Sequence, residues 1–144
     1  MKDSDFKSLN HSCNGFACFS NGKSIQKNYS PDFVLKRQDE YLIIEHETEP
    51  NRKTIVADIF KAGYFLQGIN RGILIIVLTP KGKSSFESYV NHSLSYFKWL
   101  TERTNLKDVF FIHESEYIKN NIVLTINCEE FQNLSISLRD KLND

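Results

Sequence analysis

Apolar residues recur along this chain with two different periods, and the switch between them outlines the elements. Over residues 32–36 and 41–47, Val, Ile, Leu, Phe and Tyr cluster on either side of Gln38-Asp39. That pattern predicts two strands joined by a tight polar turn. Over residues 53–67 the period lengthens: Ile55, Ile59, Ala62 and Leu66 form one stripe, which Val56, Phe60 and Gly63 widen. Such spacing predicts an amphipathic helix packed on a sheet. Thr48, Pro50 and Asn51 ahead of it supply helix-start chemistry, and Gly68 and Gly72 permit the return turn. The run Gly72 to Thr79, GILIIVLT, is a strand expected to be buried on both faces. Strand, helix and strand with short connections predict a crossover and a parallel pairing beside the hairpin.

The flanking regions read less sharply. Residues 3–12 predict a short helix with Ser4 as its cap and Phe6 and Leu9 at helical spacing. The turn formers Asn14-Gly15 and Asn21-Gly22 bracket a strand at 16–19, and a further strand is expected at 23–29. A second helix is expected from Ser84 or Ser85 to Thr101, with Phe86, Tyr89, Val90, Leu94, Phe97 and Leu100 inward. His92, Tyr96 and Trp99 lie off that stripe, where core or dimer contact is the ordinary role of aromatics. Strands are expected at 108–113 and 122–127, and a closing helix at 129–142.

The hairpin carries the candidate chemistry. Closing the turn with Arg37 against Glu40 sets a register in which Asp32 falls opposite Glu45. Opposed residues of an antiparallel pair share a face about 5 Å apart. Glu47 shares that face because strand side chains alternate. Three carboxylates therefore converge, and like charges so close disfavour one another's ionisation. A hard divalent cation such as Mg²⁺ resolves the conflict; a solvated strand end paired with surface lysines is the plainer alternative. Leu42-Ile43-Ile44 runs straight into Glu45, so the acids stand where a buried strand emerges.

Pro31-Asp32, followed by an apolar strand ending Glu45-x-Glu47, resembles the PD-(D/E)xK nuclease superfamily. The resemblance spans roughly residues 30 to 80. It implies a restriction-endonuclease-like fold in which Asp32 and Glu45 bind Mg²⁺ or Mn²⁺. Glu47 stands where the family usually carries a lysine that positions or activates the attacking water. Glu47 would then serve as a further metal ligand or a general base, and Lys61 on the next helix is the candidate for the missing positive charge. The family's leading helix is short here, so any acidic ligand it sometimes supplies is expected to be missing. Asp58 and Lys61, three apart, are expected to pair on a flank of their helix.

Composition sharpens this in two ways. Eighteen basic and eighteen acidic residues give a formal net charge of zero. Nucleic-acid binders usually carry a basic footprint, so any footprint here is local. Arg52, Lys53, Lys61, Lys81 and Lys83 are its candidates, each otherwise an ordinary surface charge. The three cysteines, Cys13, Cys18 and Cys128, with no secretory leader in the sequence, argue against a disulfide framework. His11 with Cys13 and Cys18 falls one ligand short of a zinc site, and buried free thiols are the expectation. No apolar run is long enough to span a bilayer, and a cytoplasmic location is the default expectation. His113 and Glu114 are capable of acid–base work by type, but as a pair with no motif they read as strand-end polar residues.

The sequence thus predicts a single α/β domain over 1–144: a mixed sheet with an antiparallel hairpin at its centre and helices on both faces. The expected function is a metal-dependent endonuclease acting on nucleic acid, with DNA the expected substrate, as a homodimer or a subunit of a larger complex. Two rivals accompany it. One is an inactive nuclease-fold binding subunit of a defence or DNA-processing complex, favoured by Glu47 and by the neutral charge. The other is a small regulatory or ligand-sensing domain whose three acids are surface charges, which requires a different hairpin register.

Overall fold

The computed structural model describes residues 1–80 and 85–144. A short helix α1 (Asp3–Lys7) leads into strand β1 (Ala17–Ser20), then the hairpin β2 (Phe33–Arg37) and β3 (Glu40–Glu47). Helix α2 (Arg52–Phe65) crosses to β4 (Arg71–Leu78), and α3 (Phe86–Thr101) crosses to β5 (Leu106–His113). The remainder is short: α4 (Glu114–Tyr117), β6 (Ile118–Lys119), β7 (Ile122–Val123), α5 (Glu129–Leu134), β8 (Ile136–Ser137) and α6 (Leu138–Leu142).

Six strands form one mixed sheet in the order β1-β2-β3-β4-β5-β8, while β6 and β7 pair separately. The sheet is antiparallel through β3, parallel from β3 to β5, and antiparallel again at β8. Alternating residues of the strands feed two cores. Ile43, Leu74, Ile76 and Phe111 meet Ile55 and Ile59 of α2 and Leu138 of α6. Leu42, Ile44, Ile75 and Ile112 meet Phe6, Tyr117 and Phe131 on the opposite face. The mixed sheet with helices on both faces is the predicted architecture.

Local chemistry explains the main elements. Gln38 takes a positive φ of 54° at the turn, and Phe33↔Ile44 and Arg37↔Glu40 bracket the predicted register. Asn51 caps α2 by accepting from the Thr54 N–H, and Ser85 caps α3 through Ser88 N–H. Gly72 is required where β4 begins, since a Cβ there would stand 1.9 Å from the Tyr41 carbonyl oxygen.

Four expectations are corrected. Residues 23–29 form no strand; one isolated bridge joins Gln26 to Tyr29, with Asn28 at φ 63°. The helix expected over 3–12 stops at Lys7, short of Leu9, and Ser4 does not cap it, the preceding residue being Lys2 with no side-chain cap. Of residues 122–127 only Ile122–Val123 is strand, paired in a small hairpin. The closing helix is broken at Ser135 into α5, β8 and α6, because Ile136–Ser137 pairs with Phe110–Phe111 and Ser137 caps α6. Lys81, Lys83 and Ser84 lie outside the described residues.

Candidate functional site

The hairpin delivers Asp32 and Glu45 side by side one step beyond the Phe33↔Ile44 pair. The Asp32 N–H donates to Glu45 Oε1 at 3.1 Å, and the His46 N–H donates to Asp32 Oδ2 at 2.7 Å. Lys7 Nζ of α1 stands 3.7 Å from Asp32 Oδ1. Period-two alternation puts Glu47 on the same face, toward α2, and sends His46 to the other. Glu45 is buried and Glu47 half-buried, so the acids sit at the carboxyl end of β3 under the helix.

Helix α2 adds a fourth carboxylate. Asp58 is only 7% exposed and lies on the inward side of the helix with Ile55, Ile59 and Ala62. The expected Asp58–Lys61 surface pair is therefore corrected: Asp58 turns in and meets Glu47. Two carboxylates cannot bond without a proton between them. Ionised, Asp58 leaves its buried Oδ2 with no donor, and the buried Tyr29 hydroxyl beside it is equally unpartnered. A proton on Asp58 turns its contact with Glu47 into a hydrogen bond.

Electrostatics follows from this crowding. Burial, then the Asp32 charge, pushes Glu45 up to about 8, while the Lys61 charge acts the other way. Burial, then the bond to Glu47 and the charges of Glu45 and Glu47, pushes Asp58 up to about 11. Asp32 and Glu47 are also raised, chiefly by burial. Lys61 itself is exposed on α2, at the rim of the cluster rather than inside it.

On the opposite face the His46 ring is fully buried. Its Nδ1 meets Asp3 Oδ1 at 2.8 Å and its Nε2 bonds Glu114 Oε1. Phe6 of α1 stacks flat on the ring, with centroids 4.3 Å apart. These contacts fix the strand end whose amide holds Asp32. The short leading helix was expected to bring no acid; Asp3 of that helix instead reaches His46 and adds negative charge near Asp32 and Glu47. Glu114 likewise does more than end a strand.

The cysteine and histidine expectations resolve simply. All three thiols are free; Cys13 is buried but Cys18 is exposed, against the expectation of buried thiols. His11 is committed to the Phe6 carbonyl and the Tyr117 hydroxyl, each at 2.8 Å. Arg52 donates to Ser88 Oγ, and Lys53 is exposed.

The residues missed by the sequence reading are Asp58, His46, Asp3, Glu114 and Tyr29. Asp58 left a signal: it stands between Ile55 and Ile59 on the buried side of a helix, where an acid is costly unless it serves something. His46 was legible from alternation alone, as the residue that must face away from Glu45 and Glu47. The others depend on long-range packing.

Among the described residues, no three His, Cys, Asp or Glu side chains are grouped to hold a metal ion as they stand. Asp32 and Glu45 each spend an oxygen on a backbone amide. In kind, however, the donors suit a hard divalent cation: crowded, half-to-fully buried carboxylates with an acceptor left over at Asp58.

The chain matches no family model and no curated protein. Among solved structures, SfsA of Pyrococcus furiosus, determined in complex with Ca²⁺, is similar at 10% identity and a TM-score of 0.37. The likeness covers 69% of this chain and 49% of that one, so the chain matches about half of that structure's length. Among the described residues no helix is long and apolar enough to cross a membrane.

Proposed function

We propose that this chain is a Mg²⁺- or Mn²⁺-dependent phosphodiester hydrolase acting on nucleic acid, with a restriction-endonuclease-like fold and DNA the expected substrate. The observation that carries the reading is the convergence of Asp32, Glu45, Glu47 and Asp58 under α2, with Asp58 Oδ2 and the Tyr29 hydroxyl buried and unpartnered. Four acids in one half-buried space, with Lys7 paired to Asp32, remain short of counter-charge, and that shortage favours a cation among them.

Asp32 and Glu45 would hold the cation, with Glu47 and Asp58 available as further oxygen donors. When bound, the cation supplies Lewis acidity and stabilises charge at the scissile phosphate. Glu47 would accept a proton from an attacking water, which a lysine in its position would do only when neutral. Asp58, already protonated, donates its hydrogen bond to Glu47, and the half-buried Glu47 returns the accepted proton to solvent. Lys61 brings positive charge to the rim, where a phosphate would approach. His46 acts as a positioning residue, since its buried ring anchors the strand whose amide orients Asp32.

The amide-bound state of Asp32 and Glu45, with Glu47 in the lysine position, favours a second reading. In it the same fold is a non-catalytic binding subunit. Incubation with mixed DNA and RNA substrates in Mn²⁺ separates the two. Cleavage abolished by Asp32→Ala and by Glu45→Ala supports the hydrolase. Absence of cleavage together with a melting temperature indifferent to Mn²⁺ supports the binding subunit.

A further inference from the structure

Beside the acidic cluster, a cleft of about 300 Å³ opens against α2, lined among others by Lys27, Tyr29, Phe60, Lys61 and Tyr64. Tyr29 belongs to both places: its buried hydroxyl lies near Glu45 and Asp58, and its body forms a wall of the cleft. The residues lining the cleft include two lysines and no carboxylate. Phe60 and Tyr64, one helical turn apart with Lys61 between them in sequence, stay 39% and 68% exposed.

The aromatic surface continues from there onto α3. The Phe60 ring lies 6.1 Å from Trp99 and 6.2 Å from Tyr96, and both partners are exposed. The Arg103 guanidinium stacks 4.3 Å above the Trp99 ring. Exposed aromatics on a soluble surface mark a binding face. This one interleaves its rings with cations, which suits a polymer of flat bases and negative phosphates. A second copy of the chain related by a two-fold axis would instead bring the patch, and with it Lys61 and Arg103, against its own image. Charge complementarity therefore favours a polyanion over self-association.

The geometry points to a single-stranded nucleic-acid track across α2 and α3, with an unpaired base seated in the cleft between Phe60 and Tyr64. The inference deepens the proposed hydrolase by naming its substrate class, and it rests on that reading. A duplex keeps its bases stacked inside and offers this surface only phosphates, so the track discriminates between the two forms.

Trp99 is the only tryptophan of the chain, so its emission reports on the track directly. The protein is titrated in EDTA, where cleavage does not intervene, with a homothymidine oligonucleotide of about 12 nucleotides. A duplex of equal length is the comparison. The expected result is quenching of Trp99 by the single strand at several-fold lower concentration than by the duplex. Tyr64→Ala, at an exposed position, is expected to weaken single-strand binding about tenfold. Equal response to both forms, no quenching, or a Tyr64→Ala variant that binds like the parent overturns the track. So does a concentration-dependent dimer that shields Trp99 in place of oligonucleotide binding. Asp32→Ala is run in parallel: unchanged quenching with cleavage lost upholds both proposals. Cleavage that depends on Asp32 without selective quenching retains the hydrolase and discards the track, while quenching without any cleavage in Mn²⁺ discards the hydrolase as the origin of the site.

Discussion

At the scale of single residues, the site is a contest between desolvation and charge. Glu45 and Asp58 are each more than nine-tenths buried, and neither has a cation in direct contact among the described residues. Lys61 acts on Glu45 only from the exposed rim. Removing one of these acids should therefore help the metal-free fold, which must otherwise take up a proton to bury it, and harm the function. Asp58→Asn keeps the shape while removing the acid that leans on Glu45 and Glu47. In urea unfolding at pH 8 without metal, we expect this variant to gain on the order of 1 kcal/mol, the worth of roughly one unit of pKa displacement. The same variant should bind Mn²⁺ more weakly. Loss of stability without metal would mean that Asp58 is a structural acid whose hydrogen bond to Glu47 outweighs the cost of protonating it on folding. That Asp32, Glu45 and Glu47 share one face was legible because alternation and hairpin register are local rules. Asp58 was mislaid because a three-residue spacing to Lys61 also satisfies the rule for a surface ion pair. Which of the two roles wins is decided by how α2 is rotated on the sheet.

At the scale of elements, strands with strong period and short turns were readable, and those whose ends depend on distant partners were not. The hairpin β2–β3, helix α2 and strand β4 follow from apolar spacing and the cap at Asn51. Residues 129–142 carry mixed periodicity, and here tertiary demands decide. Buried Asp108 accepts from the Ser137 hydroxyl at 2.5 Å and from the Arg139 N–H at 3.0 Å, which ties β8 and the start of α6 to β5. A continuous helix could not present both groups to that carboxylate. Residues 23–29 were misread for a related reason: Ile25 N–H donates to the Tyr29 carbonyl and Tyr29 N–H to that of Gln26, a local closure that delivers Tyr29 to α2. Gly72 offers a test at this scale. Its missing side chain lets β4 approach the Tyr41 carbonyl, which is backbone and cannot swing aside. Gly72→Ala should cost at least about 1–3 kcal/mol in denaturant unfolding, the usual penalty of overpacking. A variant as stable as the parent would show that β3 and β4 can part at that end without loss.

At the scale of the whole molecule, a chain with no net charge gathers four buried or half-buried acids where the end of β3 meets α2. That makes the pH dependence predictable in sign. Glu45 and Asp58 have folded pKa values raised above those of the unfolded chain, so the folded form holds their protons longer. The stability tied to those protons is fully present below the ordinary carboxylate range and is lost as pH rises through about 8 for Glu45 and about 11 for Asp58. The metal-free melting temperature should fall between about pH 5 and pH 9, measured at constant ionic strength. An acid-labile protein that gains stability over that interval would show that other groups dominate. A divalent cation should reverse the trend, because binding is favoured where the carboxylates are ionised.

The central claim is that these carboxylates form a cation site, and calorimetric titration of Mn²⁺ at pH 8 tests it most directly. The parent chain should bind one or more ions with release of protons, and Asp32→Ala and Glu45→Ala should each weaken binding by at least about tenfold. A parent that takes up no Mn²⁺, or one whose uptake both substitutions leave unchanged, would contradict the account and leave the cluster without a ligand.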